Sequence, residues 1–174
     1  MNTLLIGPRG CGKSLVGQRL AEISCRPFVE LDNCVLAMFA EKSVQEVWEL
    51  QGEIAWRMEE VKQLAITLRE DRQIVSLGGG TVTIDDAFEL IKDEQDAGRA
   101  KLIYLCCEIP ELVRRLKNAP GDRPALSDAQ TPEEEVTNVL SQRDPIYRSL
   151  ADIVIDVTNI SVDEAATKLA GRLD

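Results

Sequence analysis

Asn2-Thr3-Leu4-Leu5-Ile6-Gly7-Pro8-Arg9-Gly10-Cys11-Gly12-Lys13-Ser14 opens the chain on an apolar run, passes through a glycine-rich turn and ends on a lysine and a serine. Gly7 to Ser14 fits G-x-x-x-x-G-K-[ST], and the context fits as well: an apolar strand before the turn and a helical pattern after it. The glycines let the backbone wrap so that several N–H groups point inward at phosphate oxygens. A helix that starts near Lys13 adds the positive end of its dipole. Lys13 is expected to neutralise the β- and γ-phosphates, Ser14 to offer its hydroxyl to Mg²⁺, and Gly10, Cys11 and Gly12 to line the bound nucleotide. The segment thus predicts a P-loop for a nucleoside triphosphate, ATP being the expected one.

Outward from this loop, apolar runs alternate with helix-like periodic segments, the pattern of βαβ units and a mainly parallel sheet. Strands are expected at 2–6, 27–31, 73–77, 100–106 and 152–156, each a short run of the kind buried on both faces. Helices are expected at 13–24, 35–40, 43–50, 53–70, 85–96, 110–117, 132–149 and 162–173. Ser43 with Glu46, Thr131 with Glu134 and Ser161 with Glu164 read as capping boxes, and Pro132 suits a first helical turn. Only 118–130 breaks the rhythm. Two prolines, a glycine and small polar residues make it a loop, long enough to be a lid or binding loop rather than inert surface.

The chain has 174 residues, 44% of them hydrophobic and 29% charged, the size and balance of one globular α/β domain. Aromatics are only 4%, so the core must rest on Leu, Ile, Val and Ala. A formal net charge of −10 argues against nucleic acid and anionic membrane surfaces as partners. ATP is an anion too, so its site requires Arg and Lys to be concentrated locally. The absence of histidine excludes a Cys/His zinc site, a histidine base and a Ser-His-Asp triad. Five cysteines without a C-x-x-C pair read as reduced thiols. With no signal-like N-terminus and no run of about 20 apolar residues, a cytoplasmic protein is expected.

Further chemistry is spread along the chain. Phe28-Val29-Glu30-Leu31-Asp32 ends the second strand on two acids. Gly52-Glu53-Ile54-Ala55-Trp56-Arg57 enters a helix, Ser76-Leu77-Gly78-Gly79-Gly80 ends the third strand, and Arg123-Pro124 lies in the loop. Arg143-Asp144-Pro145-Ile146-Tyr147-Arg148 lies in a later helix. In this order, from Leu4 to about Asn159, these motifs resemble those of shikimate kinase. Gly7 to Lys13, Tyr104-Leu105-Cys106 and Leu112-Val113 with Arg115-Leu116 look especially like enterobacterial members.

The resemblance implies a three-layer α/β/α P-loop kinase fold. Its five-stranded parallel sheet would have the order 2-3-1-4-5, within a single domain spanning 1–174. It would carry a substrate-binding helical region at about 32–62 and a lid at about 118–131. The implied reaction moves the γ-phosphoryl group of ATP to the 3-hydroxyl of shikimate, in aromatic amino-acid synthesis, and the chain is expected to be a monomer.

The resemblance also implies roles for particular residues. Asp32 would hold the substrate hydroxyls and orient or deprotonate the nucleophile; the alternative for an Asp here is an N-cap for the following helix. Arg57 and Arg143 would hold the shikimate carboxylate, a bidentate match that a solvated surface arginine would not make. Gly79 would touch shikimate, where a plain turn is the other reading. Arg123 would close over the transferring phosphate, and Arg115 would stack on adenine, with Arg114 next to it as the competing candidate. Glu30 stands where the family usually has the first acid of Asp-x-Asp, placing Mg²⁺ through water; its extra methylene bears on metal affinity and rate. Two other readings fit the motifs less fully: a kinase for gluconate or a nucleoside monophosphate, and a kinase-like binding module without turnover.

Overall fold

The computed structural model describes residues 1–118 and 131–173. Five parallel strands, β1 (Asn2–Ile6), β2 (Phe28–Glu30), β3 (Ile74–Ser76), β4 (Ala100–Cys106) and β5 (Ile153–Asp156), form one sheet in the order β2-β3-β1-β4-β5. The expected order and strand number are therefore observed. The connections run through α1 (Lys13–Ser24), α2 (Leu31–Leu36), α3 (Val44–Leu50), α4 (Glu53–Thr67), α5 (Asp85–Asp96), α6 (Ile109–Asn118) and α7 (Pro132–Leu150), and α8 (Val162–Ala170) follows β5. A 3₁₀ turn, Thr81–Thr83, which sequence periodicity did not predict, precedes α5.

The two-residue alternation of the strands sorts the core into two layers. Leu4, Ile6, Val75, Leu77, Leu102 and Tyr104 face α2, α4, α5 and α7, where Leu31, Val35, Leu64, Ile91 and Tyr147 meet them. Leu5, Ile74, Ile103 and Leu105 face the other way, against Val16 and Leu20 of α1, Leu112 of α6 and Leu169 of α8. Burying each of these large side chains contributes about 1.5–3 kcal/mol. Central β1 and β3 are buried throughout, as expected. The edge strands β2 and β5 are not, since each has a neighbour on one side only, so the expectation of strands buried on both faces fails there.

The helix expected at 35–40 lies earlier, at Leu31–Leu36. Leu31 and Val35, at i and i+4, are both fully buried, and the backbone turns helical directly after β2 to place both on the core. Asp32 is consequently the second residue of the helix. Glu30 holds the N-cap position without a side-chain hydrogen bond, so the N-cap reading of Asp32 is overturned. Thr131 and Ser161 close full capping boxes with Glu134 and Glu164. Ser43 caps Glu46, but the Glu46 carboxylate accepts from the Lys42 N–H instead of returning to Ser43, so this box is only half made.

Candidate active site

The site lies at the carboxyl edge of the sheet, where ligands of parallel α/β proteins bind. Gly7 to Gly12 connect β1 to α1. Gly7 and Gly12 have φ of +145° and +96°, and a Cβ on Gly7 would stand 2.6 Å from the Leu105 carbonyl oxygen of β4. Gly12 begins α1 with no side-chain cap, and the first turn carries no acid, so its N–H groups face the cleft without a competing carboxylate. Lys13 is 9% exposed, and its ammonium donates to the carbonyls of Gly7 at 2.8 Å and Pro8 at 3.0 Å. A flexible side chain is thereby held across the loop ahead of any ligand.

A cleft of about 680 Å³ opens over this loop, lined by residues from Arg9 to Val16 together with Glu30, Asp32 and Gly79. Arg115 crosses into it from α6. Its guanidinium donates to the carbonyls of Cys11 (3.3 Å) and Val157 (2.7 Å) and to Glu111 (2.7 Å). Arg114 also borders the cleft but is more exposed, with its hydrogen bonds on Glu111. Hydrogen bonds from Arg114 and Arg115 hold the Glu111 carboxyl down at about 2.

A second, narrower pocket shares Arg9, Asp32 and Gly79 with the first and runs on to Trp48, Arg57 and Arg143. Arg57 is fixed on three sides. Glu53 accepts from it at 3.1 Å and Glu60 at 2.8 Å, and its guanidinium carbon lies 5.4 Å from the centre of the Trp48 ring. Glu60 is fully buried, and its other oxygen accepts the Thr81 hydroxyl. A buried carboxylate needs such partners to stay in place. Arg143 enters from α7 and donates to the Gly79 carbonyl at 3.2 Å.

The fold therefore brings Lys13, Ser14, Glu30, Asp32, Arg57, Gly79, Arg115 and Arg143 to two joined pockets. Arg123 lies outside the described residues, as does most of the expected lid. Sequence reading missed Glu60, Trp48 and Tyr147. The i, i+3 spacing of Arg57 and Glu60 on one helix was the available signal for Glu60, and the i, i+4 spacing of Arg143 and Tyr147 within one motif was the signal for Tyr147; nothing local marked Trp48.

The family model of shikimate kinase matches residues 9–174. A shikimate kinase of Stenotrophomonas maltophilia (strain R551-3) is 36% identical over 174 residues, covering 99% of this chain and 91% of the relative. The chain belongs to the shikimate kinase family. Shikimate kinase 2 of Shigella dysenteriae serotype 1 is 35% identical over 158 residues, 89% of this chain and 86% of that one. Among solved structures, shikimate kinase from Acinetobacter baumannii in complex with shikimate superposes with a TM-score of 0.86 at 27% identity, covering 99% of this chain and 95% of that one. Among the described residues no helix is long and apolar enough to cross a membrane.

Proposed function

We propose that the chain transfers the γ-phosphoryl group of ATP to the 3-hydroxyl of shikimate, giving shikimate 3-phosphate and ADP for aromatic amino-acid synthesis. The observation that carries the reading is the junction of the two pockets: Asp32 and Gly79 belong to both, with the P-loop on one side and an arginine pair on the other. Family membership favours this over a gluconate or nucleoside-monophosphate kinase, and the filled set of site residues favours turnover over binding alone.

ATP lies with its phosphates on Gly10, Cys11, Gly12, Lys13 and Ser14 and its adenine against Arg115. Shikimate sits on Gly79 with its carboxylate between Arg57 and Arg143. Asp32, 7% exposed at the shared wall, orients the hydroxyl and accepts its proton. The hydroxyl oxygen bonds to the γ-phosphorus while the bridging bond to the β-phosphate breaks, and its electron pair leaves with ADP. Lys13 and Arg123 offset charge on the transferring group; positioning and electrostatics dominate such chemistry.

Mg²⁺ suits the donors present. Among the described residues no cluster of three or more Cys, Asp or Glu forms a cage, whereas the Ser14 hydroxyl and Glu30 border the phosphate cleft. Hard oxygen donors in that number fit an ion that keeps several waters and takes phosphate oxygens. When bound, the ion neutralises phosphate charge; Ser14 would touch it directly and Glu30 through water. The same reading places the protein in the cytoplasm, where its five free thiols stay reduced.

The deciding experiment is a coupled assay of ADP release with ATP, Mg²⁺ and shikimate. Folded protein without shikimate-dependent ADP formation would sink the reading. Arg143→Lys keeps the charge but loses the fork, so it should lower kcat/KM for shikimate with ATP affinity unchanged; an unchanged kcat/KM would remove Arg143 from the carboxylate.

A further inference from the structure

Arg143 does not meet Gly79 alone. Tyr147, one helical turn later on α7, is fully buried and its hydroxyl donates to the same Gly79 carbonyl oxygen at 2.5 Å. One acceptor in the triple-glycine segment thus holds two side chains of one helix. The helix between them is weakened: Pro145 lacks an N–H, so the backbone bond to the Ser141 carbonyl is missing. The missing bond spans 141 to 145 and leaves the regular i to i+4 bond between Arg143 and Tyr147, to which the common anchor at Gly79 adds a second connection. Gly79 in turn packs on the P-loop, where a Cβ built on it would be 3.5 Å from the Arg9 nitrogen and the Gly7 carbonyl oxygen.

The other faces of the two residues provide an internal comparison. The Tyr147 ring contacts the Tyr104 ring, with centroids 5.0 Å apart. Tyr104 is just as buried, but its hydroxyl donates to Asp144 at 2.7 Å, away from the triple glycine, and Asp144 accepts from Arg148. Each of these two tyrosines in mutual contact thus donates one hydrogen bond, and only that of Tyr147, which also meets Arg143, reaches the site.

We propose that Tyr147 is a positioning residue for the acceptor. Its hydroxyl fixes the Gly79 carbonyl, the carbonyl takes one donor of Arg143, and the remaining guanidinium donors are thereby aimed at the acceptor carboxylate. Burial holds the phenol well above its ordinary pKa, so it remains a donor throughout the working range. The inference rests on the reading of Arg143 given above.

Tyr147→Phe and Tyr104→Phe in the full chain test it, compared by thermal melting and coupled kinetics. Both should lower Tm by similar amounts. Only Tyr147→Phe should raise the KM for shikimate, about three- to tenfold for a lost hydrogen bond, with the KM for ATP unchanged. In an Arg143→Ala background, Tyr147→Phe should add nothing further. Equal effects of the two tyrosine substitutions on the shikimate KM would reduce Tyr147 to a structural role. An unchanged KM in Tyr147→Phe beside a raised one in Arg143→Lys would overturn this inference and leave the function standing; no change in either would overturn the Arg143 reading as well. Should Tyr147→Phe not fold, 3-fluorotyrosine at position 147 keeps the hydroxyl. Its fluorine resonance should move on adding shikimate, and more than the same label at 104; an unmoved resonance would refute the proposal.

Discussion

Replacing Gly80 with alanine isolates the Arg57 clamp from the stability of the fold. Gly80 has φ −103° and ψ −9°, a conformation that any L-residue adopts, so the backbone is not strained by a side chain. A Cβ at this position would stand 2.8 Å from both terminal nitrogens of Arg57 and 3.1 Å from the guanidinium carbon. The guanidinium must retreat by about half an ångström or more to reach ordinary contact. It is tied to fully buried Glu60 at 2.8 Å and to Glu53 at 3.1 Å, so it can retreat only by tilting out of its present plane. A bidentate bond to a carboxylate depends on that plane.

Losing one hydrogen bond to a charged group costs about 1.5–3 kcal/mol, which is a rise of roughly ten- to a hundredfold in the acceptor KM. Restricting the unfolded chain offsets part of any folding cost, by about 0.4–1 kcal/mol. The expected outcome is a melting temperature within about 4 °C of the parent, an ATP KM within about twofold of it, and a shikimate KM raised by at least about tenfold. Coupled ADP-release kinetics with shikimate as the varied substrate give the numbers. A folded Gly80→Ala protein with the parental shikimate KM would refute the argument that Arg57 is set by its packing on Gly80. Gly78→Ala provides the contrast. There a Cβ would meet Glu60 at 2.6 Å, Asp32 at 2.8 Å and Thr81 at 3.0 Å, so that stability and turnover should fall together.

Lys13→Met should lower kcat by about 10²–10³ by removing a preorganised charge from the phosphates, measured in the same assay; a kcat within threefold of the parent would contradict the assignment. Thr131→Ala removes the capping box of α7 and should cost about 1 kcal/mol, read as a melting temperature lower by roughly 2–4 °C. Stability should fall at both ends of the pH scale. Glu111, held at about 2 by Arg114 and Arg115, has a folded pKa below its ordinary 4.5, so its contribution is present above that value and is lost as pH falls toward 2. Tyr104 and Tyr147 are raised by burial above their ordinary 10.0, so their contribution is present below pH 10 and is lost as pH rises beyond it. Denaturant titrations from pH 2 to 11 should trace both limbs, and Glu111→Gln should flatten the acid one.

The sequence by itself determined the elements whose information is local. An apolar run, a glycine turn and a helix start are contiguous, so β1, the P-loop and α1 were legible to the residue, with Lys13 and Ser14 in place. Helix starts with an oxygen side chain and a glutamate three residues on were legible for the same reason. The family resemblance then carried Asp32, Arg57, Gly79 and Arg143, which residue types alone would have left open to reading as a helix cap, surface charges or a turn. Only the tertiary structure decided what depends on distant partners. The start of α2 was set by Leu31 and Val35 reaching the core together, against the cap-like look of Asp32. The packing of Arg57 on Gly80, and the anchoring of Arg143 by a Gly79 carbonyl it shares with Tyr147, join segments more than 20 residues apart. No periodicity records such meetings, because the sheet order that brings these strand ends and helix faces together is a property of the whole packed chain.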